Sequence, residues 1–118
     1  MRIQEFFKNN DTFTHDDHLY DLSKLMHVIK DREYDVHEVP VDTIKWILKY
    51  DTPDPERIKT ADINEPIIVT WWFDEDKNQY RLVAVDGLHR IAKALLKNIQ
   101  TLPAYYIDSH DLEQVKID

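Results

Sequence analysis

The chain has no cysteine and only one glycine among its 118 residues. Without thiols there is no disulfide framework and no thiol chemistry. A membrane-spanning helix needs about 20 consecutive apolar residues, and no run approaches that length. The opening Met1-Arg2-Ile3-Gln4-Glu5 carries no signal-peptide core, so the expectation is a soluble cytoplasmic protein without membrane contact. Positive charge is also scarce: 15 Lys and Arg oppose 23 Asp and Glu, for a net charge of −8. Duplex DNA binding draws most of its affinity from neutralised phosphates, so duplex DNA is disfavoured, whereas an acidic surface suits a basic protein partner. No internal repeat or low-complexity segment interrupts a length suited to one domain.

The single glycine stands in Asp86-Gly87-Leu88-His89-Arg90, between a strand-like run, Tyr80 to Val85, and a helix-like run, Leu88 to Lys97. Glycine is favoured where the backbone takes positive φ or passes close to another group. Leu88, Ile91, Ala92, Leu95 and Leu96 recur with helical spacing and predict the buried stripe. A helix N-terminus favours acidic residues, yet His89, Arg90 and Lys93 crowd this one. Two readings follow. In one, a bound anion gathers the first-turn N–H groups, the imidazole and the guanidinium, as phosphate sites do. In the other, Asp86 pairs with Arg90 and the turn binds nothing.

Along the rest of the chain, Ile3 to Lys8 reads as a first helical turn. Thr14 with Asp17 approximates a capping box for a helix carrying Leu19, Leu22, Leu25, Met26 and Ile29 to about Lys30. His15 and His18 around Asp16 and Asp17 have metal-ligand character, but a solvated helix start is the simpler reading and no metal site is assigned. Tyr34 to Val41 reads as a strand in which Pro40 is confined to an edge or a terminus. Asp42 is expected to cap a short helix, Thr43 to Lys49, with Trp46 either in the core or exposed for stacking on a base. Pro55 is placed to open a helix reaching about Asp62. Ile67 to Phe73 reads as a strand covered on both faces, Asp74 to Asn78 as a hairpin loop, Gln79 to Val85 as the returning strand, and Thr101 to Ile107 as the last. The predicted fold class is mixed α/β (α+β), a small mixed sheet flanked by helices. Residues 1–33 are expected to form a helical extension, 34–108 the main domain and 109–118 a polar tail, either irregular or a helical turn.

Several of these segments together resemble the ParB/sulfiredoxin superfamily. Asp86 to Arg90, then Ala94, Asn98 and Leu102-Pro103-Ala104, is similar to its phosphate-loop box, with Asn98 where a second glycine usually lies. Asp54-Pro55-Glu56-Arg57-Ile58 resembles its Asp-Pro helix start and Glu65-Pro66-Ile67-Ile68-Val69 its Pro-Ile-x-Val strand, so the likeness spans about Val36 to Ile107. Sulfiredoxins carry a cysteine where Leu88 stands, which excludes sulfinic acid reduction here. ParB proteins, which bind CTP, share the basic pair at His89 and Arg90 but have a further basic residue where Ala92 lies. Free serine kinases read Asp-Gly-His-His-Arg at an ADP-holding turn, one residue different, though Ile44 to Leu48 lacks the carboxylate their catalysis uses.

The resemblance implies binding of a nucleotide, ADP, ATP or CTP, with or without Mg²⁺, by Gly87, Leu88, His89 and Arg90. Arg57 is the next contact, because that helix faces the turn in the family. A catalytic member would carry out phosphoryl transfer or nucleotide hydrolysis, with Asp86 positioning a metal or the acceptor hydroxyl and His89 acting as acid, base or hydrogen-bond donor. Two alternatives stand beside it: a non-catalytic protein-interaction module of the kind viruses and mobile elements carry, and a ParB-like nuclease.

Overall fold

The computed structural model describes residues 12–15 and 18–117, so the expected turn at Ile3 to Lys8 lies outside the described residues. The fold is mixed α+β, and the chain divides into two compact units, residues 1–34 with 107–118 and residues 35–106.

In the first unit, β1 (Thr12–His15) and β2 (His18–Asp21) pair antiparallel, with Phe13 opposite Tyr20 and Thr14 opposite Leu19. This overturns the expected helix start at Thr14. β-Branched and aromatic residues at Thr12, Phe13, Thr14 and Tyr20 favour a strand pair, and Asp21 takes the capping role instead: its carboxylate accepts the Lys24 N–H at 3.1 Å. Helix α1 (Leu22–Asp31) then buries Leu22, Leu25 and Ile29, while Met26 stays exposed. It ends in a Schellman turn, with Glu33 at φ 54° and the Tyr34 N–H reaching the Ile29 carbonyl at 3.2 Å.

Of the two readings of the C-terminal segment, the helical one holds: α5 (Ser109–Gln114) forms on an Asp108 cap and buries Leu112, with Val115 buried just beyond it. The chain after it runs beside β2: Asp21 N–H donates to the Val115 carbonyl and Ile117 N–H to the Leu19 carbonyl. Asp111 is buried on α5. Its Oδ2 accepts the Tyr34 hydroxyl at 2.5 Å, its Oδ1 forms an ion pair with Arg32 Nε at 3.1 Å without hydrogen-bond geometry, and the Asp108 N–H donates to Tyr34.

The second unit is built on the sheet β3-β6-β4-β5. β3 (His37–Pro40) lies at its edge, antiparallel to β6 (Thr101–Ile107), and Pro40 sits at the strand's end, where its missing N–H breaks no ladder. A short helix α2 (Val41–Ile44) follows directly, then a 3₁₀ turn, Lys45–Lys49. Asp42 falls in the first turn of α2, not at its cap, because Pro40 already occupies that position without a side-chain bond. Helix α3 (Pro55–Thr60) starts as the sequence indicates, with Asp54 capping the Glu56 N–H and Pro55 in the first turn.

β4 (Ile67–Asp74) and β5 (Gln79–Asp86) form the long hairpin. Ile67 to Thr70 are buried on both faces, but Trp71 and Phe73 are exposed, so only the first half of β4 is covered as the apolar run suggests. Helix α4 (Leu88–Leu96) buries Ile91, Ala92 and Ala94, and leaves Leu96 74% exposed. The expected stripe therefore breaks in the last turn, where small Ala94 takes the core position. The helix closes on Asn98 at φ 56°, with Ile99 N–H reaching the Ala94 carbonyl at 2.8 Å, a left-handed cap that asparagine tolerates in place of glycine. Ile67, Val69, Leu82, Ala84, Ile91, Ala94 and Ala104 meet in the core.

Candidate functional site

The turn Asp86 to Arg90 joins the inner end of β5 to α4. Just before it the ladder slips: Ile68 pairs with Asp86 and Val69 with Ala84, leaving Val85 as an extra residue. Gly87 follows at φ 129°, a conformation side-chain-bearing residues rarely adopt, and a Cβ built there would lie 2.5 Å from Ile67 Cγ2 and 2.7 Å from Ile67 Cβ. Ile67 is fully buried and β-branched, so it has little room to yield. Both the dihedral and the neighbour demand glycine, and this demand exists with or without a ligand.

No side chain caps α4, and no acidic residue stands in its first turn. The N–H groups of Leu88, His89 and Arg90 are thus the orphan donors of a helix start, with the partial positive charge that such an end carries.

The cations expected to converge there have other engagements. Arg90 donates through Nη1 to the Glu65 and Pro66 carbonyls, at 3.0 and 2.7 Å, and through Nη2 to Asp86 Oδ2 at 3.1 Å. Its side chain is only 13% exposed. Lys93 Nζ donates to the Lys59 and Ala61 carbonyls, at 3.0 and 2.7 Å, and so satisfies orphan acceptors at the C-terminal end of α3. His89 Nε2 accepts the backbone N–H of Asp54 at 3.1 Å, which puts the ring proton of the neutral form on Nδ1. Partial burial, then the nearby Arg57 charge, push His89 below the ordinary imidazole value, with Asp54 opposing.

The polar face of α4 is therefore a row of fastenings: to the N-terminal end of α3 through His89, to its C-terminal end through Lys93, and to the start of β4 through Arg90. The crowding of basic residues read from the sequence is accommodated by backbone carbonyls and one carboxylate. Their partners at Asp54, Lys59, Ala61, Glu65 and Pro66 are main-chain groups, which leave no residue-type signature in a sequence.

Arg57, on α3, is exposed and close enough to His89 to depress its protonation. Asp86 keeps 42% of its side-chain surface exposed while paired with Arg90. Leu88 is half-buried and supplies a backbone donor only. Trp46 is neither core nor a free stacking ring: its indole N–H donates to the Leu82 carbonyl at 3.0 Å, and the Arg81 guanidinium lies 3.6 Å over its ring centroid. Among the described residues no group of three or more His, Cys, Asp or Glu is placed to hold a metal. A cleft of about 280 Å³ opens along β3 and β6, lined by His37, Glu38, Asn64 and Pro103 among others, and none of residues 86–90 lines it.

Chemically, the turn offers backbone donors, a neutral imidazole and a neighbouring guanidinium to a small anion, with a carboxylate alongside. No family model matches the chain, and no curated protein matches it significantly.

Proposed function

We propose that the chain is a ParB/sulfiredoxin-like domain whose Asp86 to Arg90 turn binds the phosphate of a nucleotide. The observation that carries this reading is the bare N-terminus of α4: a positive-φ glycine at a strand's end feeds a helix start with no capping side chain and no acidic neighbour in its first turn. Such ends bind phosphate through their N–H groups.

On this reading the roles within the turn differ from those the resemblance implies. The N–H groups of Leu88, His89 and Arg90 hold the phosphate oxygens. Arg57 supplies the charge from α3, and His89 adds a hydrogen bond from Nδ1 when neutral. Arg90 acts as a positioning residue: it holds Asp86 and the Glu65-Pro66 backbone, and through them the shape of the turn. A nucleotide's phosphates bring the negative charge this end of the helix favours. Mg²⁺ fits the protein groups less well, since Asp86 is the turn's only carboxylate and is already paired with Arg90, so no step is assigned to the metal. In a phosphoryl-transfer or hydrolytic reaction, Asp86 Oδ1, the oxygen not bonded to Arg90, orients the attacking hydroxyl or water.

Calorimetric titration of ADP, ATP, CTP and inorganic phosphate into the wild type and Arg57→Ala tests the reading. Binding by the wild type that weakens roughly tenfold in Arg57→Ala, as loss of a charged hydrogen bond entails, supports it. A wild type that binds none of the four refutes it. Arg90→Ala is the poorer probe, because it also unties the backbone at Glu65 and Pro66.

A further inference from the structure

We propose that the outer half of the β4–β5 hairpin is a docking face for a cationic, arginine-rich segment of another protein. This inference does not depend on the phosphate site and lies apart from it along the hairpin.

Residues directly opposite each other in an antiparallel pair share a face, as do residues two apart in one strand. Trp71 is opposite Leu82 and Phe73 opposite Tyr80, so Trp71, Phe73, Tyr80 and Leu82 share one side of the hairpin with Val69 and Ala84. On that side the inner residues Val69, Leu82 and Ala84 are buried in the core, whereas Trp71, Phe73 and Tyr80 are 53%, 42% and 67% exposed. The core face of the sheet thus continues outward as a strip of three uncovered rings. Phe73 and Tyr80 stand at an interplanar angle of 74° with centroids 5.1 Å apart, so two ring surfaces meet in a corner.

Charge selects the occupant. The hairpin loop beside the rings carries Asp74, Glu75 and Asp76 against one Lys77, and Glu75 and Asp76 are exposed. Asp74 is turned inward: its Oδ1 accepts the Asp76 and Lys77 N–H groups, and its Oδ2 lies 3.7 Å from Arg81. A second copy of this chain would bring another net charge of −8 and another acidic loop to the same place, and a nucleic acid would bring phosphates. Guanidinium groups satisfy both halves of the surface, since they stack on aromatic faces and pair with carboxylates. The same pairing already occurs within the chain, where Arg81 lies over Trp46.

The test is calorimetry with an N-acetylated octa-arginine amide against the wild type, Trp71→Ser, Tyr80→Ser and the loop double variant Glu75→Lys/Asp76→Lys. All four sites are exposed, and circular dichroism checks that the variants fold. The expected result is binding that weakens roughly two- to fivefold for each ring removed and is lost on charge reversal of the loop. Octa-arginine binding that is unchanged in both ring variants is diffuse attraction to an acidic protein and overturns the proposal. So does a wild type that ignores the peptide, or one that forms a dimer broken by Tyr80→Ser. Because nucleotide titration reads α4 and peptide titration reads the hairpin, either reading can fail while the other stands.

Discussion

Replacing Gly87 by alanine separates two reasons for a chain to keep its one glycine. The added Cβ meets Ile67 Cγ2 at 2.5 Å and Ile67 Cβ at 2.7 Å, and the backbone stays at φ 129°. Forcing a side-chain-bearing residue into such a conformation costs about 1–3 kcal/mol, and overpacking a tight core costs about 1–3 kcal/mol more. A destabilisation of about 2–6 kcal/mol is therefore expected, a large share of the roughly 5–15 kcal/mol that holds a domain folded. Urea melts followed by circular dichroism measure it. The partner variant Ile67→Ala removes Cγ2 and leaves Cβ in place, so Gly87→Ala/Ile67→Ala should be less destabilised than the sum of the single variants, with a coupling of about 1 kcal/mol. Gly87→Ala within about 0.5 kcal/mol of the wild type, the range of an unremarkable surface change, would refute the packing argument. If that stable variant also lost nucleotide binding, the glycine would be there to let a ligand approach.

Three further outcomes follow from other contacts. Tyr34→Phe should destabilise the first unit by about 1–3 kcal/mol, because it leaves a buried Asp111 oxygen without its hydroxyl donor; denaturant melts measure it, and an unchanged midpoint contradicts the role given to that bond. Lys93→Met should weaken the seam between α3 and α4 by about 1–2 kcal/mol and speed amide exchange at the end of α3, since the Lys59 and Ala61 carbonyls lose their charged donor. For His89, the folded state lowers the proton affinity below the ordinary 6.5. The unfolded chain then binds more protons in the window just below that value, and stability must fall as pH drops through it. Melting temperatures taken from neutral to mildly acid pH should show this decline in the wild type and a smaller one in His89→Gln, whose side-chain oxygen can still accept the Asp54 N–H. Equal slopes would remove His89 as the cause.

Much of the site's framework was legible along the chain because its signals are local. A lone glycine between a β-rich run and an amphipathic run marks a strand-turn-helix, Asp54-Pro55 marks a helix start, and Asn98 marks a left-handed stop. Local signals also misled. The capping-box pattern at Thr14 gave way to a strand pair, since pairing of Phe13 with Tyr20 and a better cap at Asp21 outweighed it. Likewise, the spacing that put Leu95 and Leu96 in the core could not show that the helix's last turn extends past what it packs on.

From residue order alone came the mixed α+β class, the turn around Gly87 and the concentration of cations at the head of α4, all properties of neighbours in the chain. Only the tertiary structure decided where those cations go. Arg90 finds carbonyls more than 20 residues away at Glu65 and Pro66, Lys93 finds the end of α3, and His89 finds a main-chain N–H at Asp54. Nearly every residue carries the same backbone donor and acceptor, so a sequence shows which side chains need partners but not which main-chain groups the fold will bring to about 3 Å from them. The same holds for Gly87: its uniqueness is written in the sequence, but the methyl group of Ile67 that enforces it appears only when β4 lies against the turn.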